Sequence, residues 1–208
     1  MTMRERPILF NADMVSAVLD GRKTQTRRLL TPHHLKMIDA AASAGECYPL
    51  ESGRQHANSQ SYYREWCPFG AVGDRLWVRE TFRVHSRATD VATLVYKASE
   101  QQSWTQQTHR VPIEKCNKPA VVDTWTPSIH MPRWASRITL EITGVRVERL
   151  QSISEEDAKA EGVKTECSVI GDKHFLGFRS LWKSIYGDDS WQANPWVWVV
   201  EFKRVEGQ

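Results

Sequence analysis

The octapeptide Gly21-Arg22-Lys23-Thr24-Gln25-Thr26-Arg27-Arg28 decides how the rest of the chain is read. It follows a helix signal in which Asn11 is a suitable N-cap and Met14, Val15, Val18 and Leu19 recur at helical spacing; Gly21 then supplies the left-handed residue that ends such a helix. Hydroxyl and apolar residues from Thr24 to Leu30 predict a strand with Thr24, Thr26 and Arg28 on one face and Lys23 in the turn before it. Read alone, such a run is a solvated basic turn. It also permits chemistry, because a threonine hydroxyl becomes a nucleophile only when a nearby base takes its proton, and Lys23 is the local side chain able to do so.

Working outward, Ile8 to Phe10 predicts a short strand upstream. Downstream, residues 31–72 run through Pro, Ser, Gly, His and Asn with a weakly helical piece between His34 and Ala44, and read as a loop-rich insertion. The turn Gly73-Asp74 opens a strand from Arg75 to Phe82, and another strand lies within Asp90 to Ala98. Residues 99–131, rich in Gln, Thr and Pro, read as a second loop-rich insertion. Arg137 to Ile142 and Val145 to Leu150 read as two strands around Gly144.

Ser154 caps a short acidic helix with Asp157 at its third position, Glu161 on its last turn and Gly162 as its stop. A further helix carries Phe178, Leu181, Trp182 and Ile185 on one face and ends at Gly187, before a dense closing strand from Trp196 to Phe202. Five or six strands with short helices predict an α+β single domain, a small curved β-barrel with helices packed at its ends.

Composition narrows the function. With 208 residues, 40% of them hydrophobic, the chain can bury one substantial core, and a net charge of +3 confines any nucleic-acid contact to a local patch. Cys47, Cys67, Cys116 and Cys167 form no Cys-x-x-Cys pair, which predicts free thiols rather than a zinc knuckle or redox dithiol. The histidines show no His-x-x-x-His spacing, so neither a metal nor another cofactor is expected. No apolar stretch approaches a membrane span, so the expectation is a cytoplasmic protein without a membrane partner. Nine tryptophans predict core and lid packing, with one or two available to stack on a base. The oligomeric state stays open.

The Gly21–Arg28 segment, Gly73-Asp74-Arg75-Leu76-Trp77-Val78, Glu155-Glu156-Asp157-Ala158-Lys159-Ala160-Glu161-Gly162 and Val199-Val200-Glu201-Phe202 together resemble the ASCH domain family, whose fold is PUA-like. The Gly-Arg-Lys-Thr-x-Thr pattern is similar to that of small bacterial N4-acetylcytidine amidohydrolases, and the long form resembles ASCH proteins carried by phages and prophages of enteric bacteria. The resemblance implies a site of Lys23, Thr26 and Glu161 acting on an N-acylated pyrimidine as nucleoside, nucleotide or RNA base. The chain departs from the small enzymes in its two insertions and in Arg27, which replaces an apolar residue and would favour a phosphate-bearing substrate.

Amide cleavage needs a nucleophile, a base that becomes an acid, and an oxyanion donor. On the implied scheme Thr26 attacks, Lys23 carries the proton, Glu161 orients the lysine or the leaving base, and Arg28 or a backbone N–H near Gly21 meets the oxyanion. An ordinary lysine, with a pKa of about 10.4, stays protonated at neutral pH, so burial and neighbouring arginines must lower it. Residues three apart on a strand face opposite ways, so Lys23 and Thr26 meet only if the turn after Gly21 redirects the lysine. Candidate substrate contacts are Arg22, Thr24, Arg28, Trp77, Arg79, Glu80, Ser128, His130 and Arg133. The competing readings are a non-catalytic RNA-binding module, with Arg22, Lys23, Arg27 and Arg28 on phosphates, and a ribonuclease using the same basic pocket.

Overall fold

A computed structural model describes residues 3–52, 57–166 and 173–205. In chain order its strands are β1 (Glu5–Leu9), β2 (Gln25–Leu29), β3 (Arg75–Arg79), β4 (Phe82–Arg87), β5 (Val91–Tyr96), β6 (Thr108–Pro112), β7 (Thr139–Arg149) and β8 (Trp196–Arg204). Its helices are α1 (Ala12–Leu19), α2 (Pro32–Ser43), α3 (Ala57–Glu65), α4 (Trp104–Gln107), α5 (Glu155–Ala160), α6 (Lys173–Tyr186) and α7 (Asp188–Gln192). The fold is thus mixed α+β, with eight strands among the described residues where the pattern predicted five or six, in sheets of order β1-β3-β7-β8-β2 and β4-β5-β6. Two compact units emerge: Met1–Gly21 with Arg75–Glu141 and Arg204–Gln208, and Arg22–Asp74 with Ile142–Lys203.

In the first unit β1 runs parallel to β3, with Ile8 opposite Val78, and β3 meets the start of β7 antiparallel, with Leu76 opposite Leu140. Asn11 caps α1 by accepting from Met14 N at 2.9 Å, and Gly21 ends that stretch at φ +73°. The antiparallel β4-β5-β6 sheet buries Phe82, Val84, Leu94, Tyr96, Val111 and Met131. The predicted strand from Arg75 to Phe82 is two strands, because β3 and β4 join different sheets. Residues 99–131 are also more ordered than predicted, contributing α4 and β6. β6 lies at a sheet edge, where its polar residues and Pro112 are tolerated, and this hid it.

In the second unit β8 lies between β7 and β2 and pairs antiparallel with β2, placing Thr26 opposite Val200 and Arg28 opposite Trp198. Val197 and Val199 pack into a core of Leu150, Ile153, Ala158, Phe178 and Trp182. The described residues between 31 and 72 carry more helix than the weak piece expected near His34 to Ala44: Thr31 caps α2, which buries Ile38 and Ala41, and α3 follows with Tyr63 buried. Gly144 does not end a strand. It sits inside the continuous β7, where the Glu201 side chain occupies the space a Cβ would need. Of the face predicted for the penultimate helix, Phe178 and Trp182 are buried in α6, whereas Ile185 is exposed. Cys47, Cys67 and Cys116 are free thiols, and Cys167 lies outside the described residues.

Among the described residues no helix is long and apolar enough to cross a membrane.

Candidate functional site

The second unit places Lys23 against the end of α5. Ser154 caps that helix by accepting from Asp157 N at 3.0 Å, and Gly162 closes it at φ +72°. Glu161, its C-cap residue, forms a β-bridge with Lys23. Next to it, Thr24 N donates to Ala160 O at 2.8 Å while Thr24 O accepts from Phe202 N at 2.8 Å. A residue in a hydrogen-bonded antiparallel pair exchanges both bonds with one partner. Thr24 divides them between two neighbours, and Lys23 meets Glu161 on the α5 side that Gln25 and Arg27 also face.

The basic octapeptide is not a solvated turn at its centre: Lys23 is 2% exposed, Thr26 1%, Arg27 3%, and Glu161 4%. Lys23 Nζ donates to Glu161 Oε2 at 2.8 Å and to Glu161 O at 3.0 Å. Arg27 Nη1 donates to the other carboxylate oxygen, Oε1, at 3.2 Å, and its Nη2 meets Asp157 Oδ2 at 3.0 Å and Glu148 Oε2 at 3.2 Å. Arg146 extends this network to Glu148, Glu201 and Asp157. Gln25 Nε2 donates to Asp157 O at 2.7 Å. Gln25 and Arg27 therefore face α5, and alternation turns Thr26 and Arg28 to the other face of β2, with Val200 and Trp198 of β8.

That other face carries a buried donor. Trp198 is fully buried, its ring meets His34 of α2 edge-on at 5.8 Å between centroids, and its Nε1 has no hydrogen-bond partner among the described residues. Buried N–H groups are almost always paired, so this unpaired one is unusual.

Electrostatics favour proton release from Lys23. Burial pushes its ammonium below the usual lysine value, outweighing the opposing charge and hydrogen bond of Glu161; Arg28 and then Arg27 lower it further. Glu161 offers the lysine two acceptors, its carboxylate oxygen and its main-chain carbonyl.

Of the other expected contacts, Arg22 Nη1 donates to Gly162 O at 2.9 Å, so it ties the segment to the helix end. Arg27 does not carry an uncompensated charge, because it meets carboxylates of Glu148, Asp157 and Glu161. The remaining candidates belong to the first unit. Glu80, 1% exposed, is gripped by Arg137 through Nε and Nη2, each at 2.9 Å, so its ion pair is buried rather than exposed. Burial raises its carboxyl above the usual range more than Arg137 lowers it. Arg79 lies over Trp77 at 5.6 Å and donates to Ile129 O; Ser128 to His130 form a single 3-10 turn; Arg133 pairs with Glu5 at 3.0 Å.

Sequence reasoning missed Gln25, Glu148, Asp157 and Arg146 as parts of the network. Asp157 and Glu161, four residues apart at the end of α5, and Arg146 and Glu148, alternate on β7, carried the available signal.

No protein-family model matches the chain, and no curated protein sequence does. The chain is similar to the crystal structure of an ASCH domain from Lactobacillus crispatus JV V101, at 14% identity over 97% of this chain and 79% of that one, with a TM-score of 0.38. At that distance no residue role passes from one protein to the other.

Proposed function

We propose that this chain is a PUA-like ASCH protein that recognises a modified pyrimidine, as nucleoside, nucleotide or RNA base, and hydrolyses its N-acyl amide. The reading rests above all on the buried Lys23–Glu161 pair, whose lysine is driven toward its neutral form at the entrance of the strand that carries Thr26. A buried lysine pushed down in pKa is a base rather than a surface charge.

On this reading Lys23 takes the proton of Thr26 Oγ as that oxygen bonds to the acyl carbon. The resulting oxyanion needs a donor, and the orphan Trp198 Nε1 lies on the Thr26 face of the sheet to supply one. The bond from the acyl carbon to the exocyclic nitrogen then breaks, with the lysine proton passing to the departing amine. Water releases the acyl group from Thr26 by the same proton path in reverse. Arg27 also pairs with the Glu161 carboxylate, so that charge keeps a cationic partner when Lys23 is neutral.

Incubation with N4-acetylcytidine, its nucleotide and acylated oligonucleotides, with products read by mass, tests the reading. Release of cytosine-containing product by the natural protein and its loss in Thr26→Ala are expected. Natural protein without turnover on all three substrates, or Thr26→Ala with full turnover, overturns it.

A further inference from the structure

The first unit holds an open cleft of about 610 Å³ beside the edge strand β6, lined by His109, Arg110, Lys115, Arg133 and Trp134 among others. We propose that this cleft binds single-stranded nucleic acid, with Arg110 and Lys115 taking phosphate and Trp134 stacking on a base. Nothing in this depends on the Lys23 site, which belongs to the other unit.

Three observations select that ligand. Arg110 and Lys115 are exposed and have no ion-pair partner among the described residues, so their charge is available; Arg133, by contrast, is held by Glu5. Trp134 is half-buried, packed against the unit's core and edge-on to Phe82 at 6.4 Å, so its indole is fixed in one orientation. A fixed aromatic face beside exposed cations is how proteins bind unpaired nucleotides, with sequence-tolerant stacking and salt-sensitive phosphate contacts. The cleft also lies within the usual range for small-ligand sites, about 300–1,000 Å³.

The third observation separates a nucleotide from a bare anion. Tyr96 Oη donates its single proton to Ala135 O at 2.8 Å, so the 3.1 Å contact between Tyr96 Oη and His109 Nδ1 requires the proton to sit on Nδ1. Nε2 of that ring is then an acceptor, and burial together with the charge of Arg137 keeps the imidazole below its usual pKa. A phosphodiester or an ionised carboxylate alone has nothing to donate to it. A ribose hydroxyl or an exocyclic base amine does.

The test is fluorescence anisotropy with a short labelled single-stranded RNA across a range of salt. Arg110→Glu combined with Lys115→Glu, both at exposed positions, is expected to weaken binding at least tenfold and to reduce the log–log salt slope by about 1.4, or about 0.7 per lost phosphate contact. Trp134→Leu is expected to weaken binding about tenfold while leaving that slope unchanged, as loss of one stacked base does. Competition by cytidine monophosphate would place a single nucleotide in the cleft; competition by oligonucleotide alone would make it a backbone track, and either supports the proposal. The charge-reversed protein binding RNA with natural affinity and slope overturns it. So does a phosphopeptide or heparin competing as well as RNA while Trp134→Leu has no effect. Turnover of N4-acetylcytidine in the charge-reversed protein, and RNA affinity in Thr26→Ala, keep this result separate from the amide-hydrolysis reading.

Discussion

Glu80 and Glu161 are both buried carboxylates held by cations, but their partners differ in what they can do. Glu80 meets Arg137 through a two-pronged fork, and Arg137 also donates to Ser99 Oγ at 2.9 Å and lies over the Tyr96 ring at 4.0 Å. A guanidinium stays protonated in proteins, so that pair is a permanent fixture. Glu161 divides its oxygens between Arg27, which cannot release a proton, and Lys23, which can. On the proposed function the contrast separates a charge pair that holds structure from one that passes a proton: the second needs a titratable member and a neighbouring cation.

The largest effect that could break this contrast is on turnover. Lys23→Met is expected to lower kcat on an N-acyl cytosine substrate by about 10²–10⁴-fold, the usual contribution of a positioned acid–base group. Trp198→Phe, which removes only the orphan indole N–H, is expected to cost about 10²–10³-fold in kcat, as loss of an oxyanion donor does. Single-turnover assays with each variant check both. A Trp198→Phe protein that keeps full kcat would leave the buried N–H without a catalytic role.

Stability should show the reverse ranking. Arg137→Met leaves Glu80 buried without its fork and is expected to cost about 3–5 kcal/mol in denaturant unfolding. Lys23→Met leaves Glu161 with Arg27 and is expected to cost clearly less. Equal losses would mean that the Lys23 pair is as structural as the Glu80 pair.

The pH dependence of stability should differ in sign between the two centres. The folded pKa of Glu80 is raised, so its contribution is full below the unfolded value of 4.5 and is lost as pH rises through the folded value. Glu80→Gln should remove that decline. The folded pKa of Lys23 is lowered from 10.5, so its contribution is present above that value and is lost as pH falls through the folded one. Lys23→Met should remove a rise toward alkaline pH. Thermal melts across pH for the natural protein and both variants measure the two slopes. In activity the same lysine gives a limb that rises with pH, and Arg28→Gln should move that limb to higher pH by removing a charge that lowers the lysine.

What could be read from sequence follows the range of the forces involved. α1 and α5 were legible because their signals are local: Asn11 and Ser154 cap, and Gly21 and Gly162 stop. α3 was not, because Ala-Asn-Ser-Gln-Ser-Tyr-Tyr-Arg-Glu has no apolar period and its place depends on distant partners: Gln60 exchanges two 3.0 Å hydrogen bonds with the Val147 backbone. The pairing of Lys23 with Glu161 was reached through motif resemblance, since nothing local joins residues so far apart in the chain. Arg27 was misread as charge offered to a substrate. It shares the Gln25 face of β2 and points at α5, but the carboxylates that neutralise it come from β7 and α5, both far from β2 in the chain.

The smallest effect asks which element holds the proposed proton-transfer centre in place. Ser154→Ala removes the bond that starts α5 and is expected to cost about 1 kcal/mol in unfolding, as loss of an N-cap does. Glu161 sits at the opposite end of that helix, tied to β2 through main chain by the Lys23 bridge and by Thr24 N on Ala160 O. The pH limb of activity should therefore stay where it is in Ser154→Ala, although the protein is less stable. A shift of that limb would mean that the first turn of α5, rather than its backbone pairing with β2, sets the distance between Glu161 and the lysine, and that the centre is softer than the Glu80 fork in geometry as well as in charge.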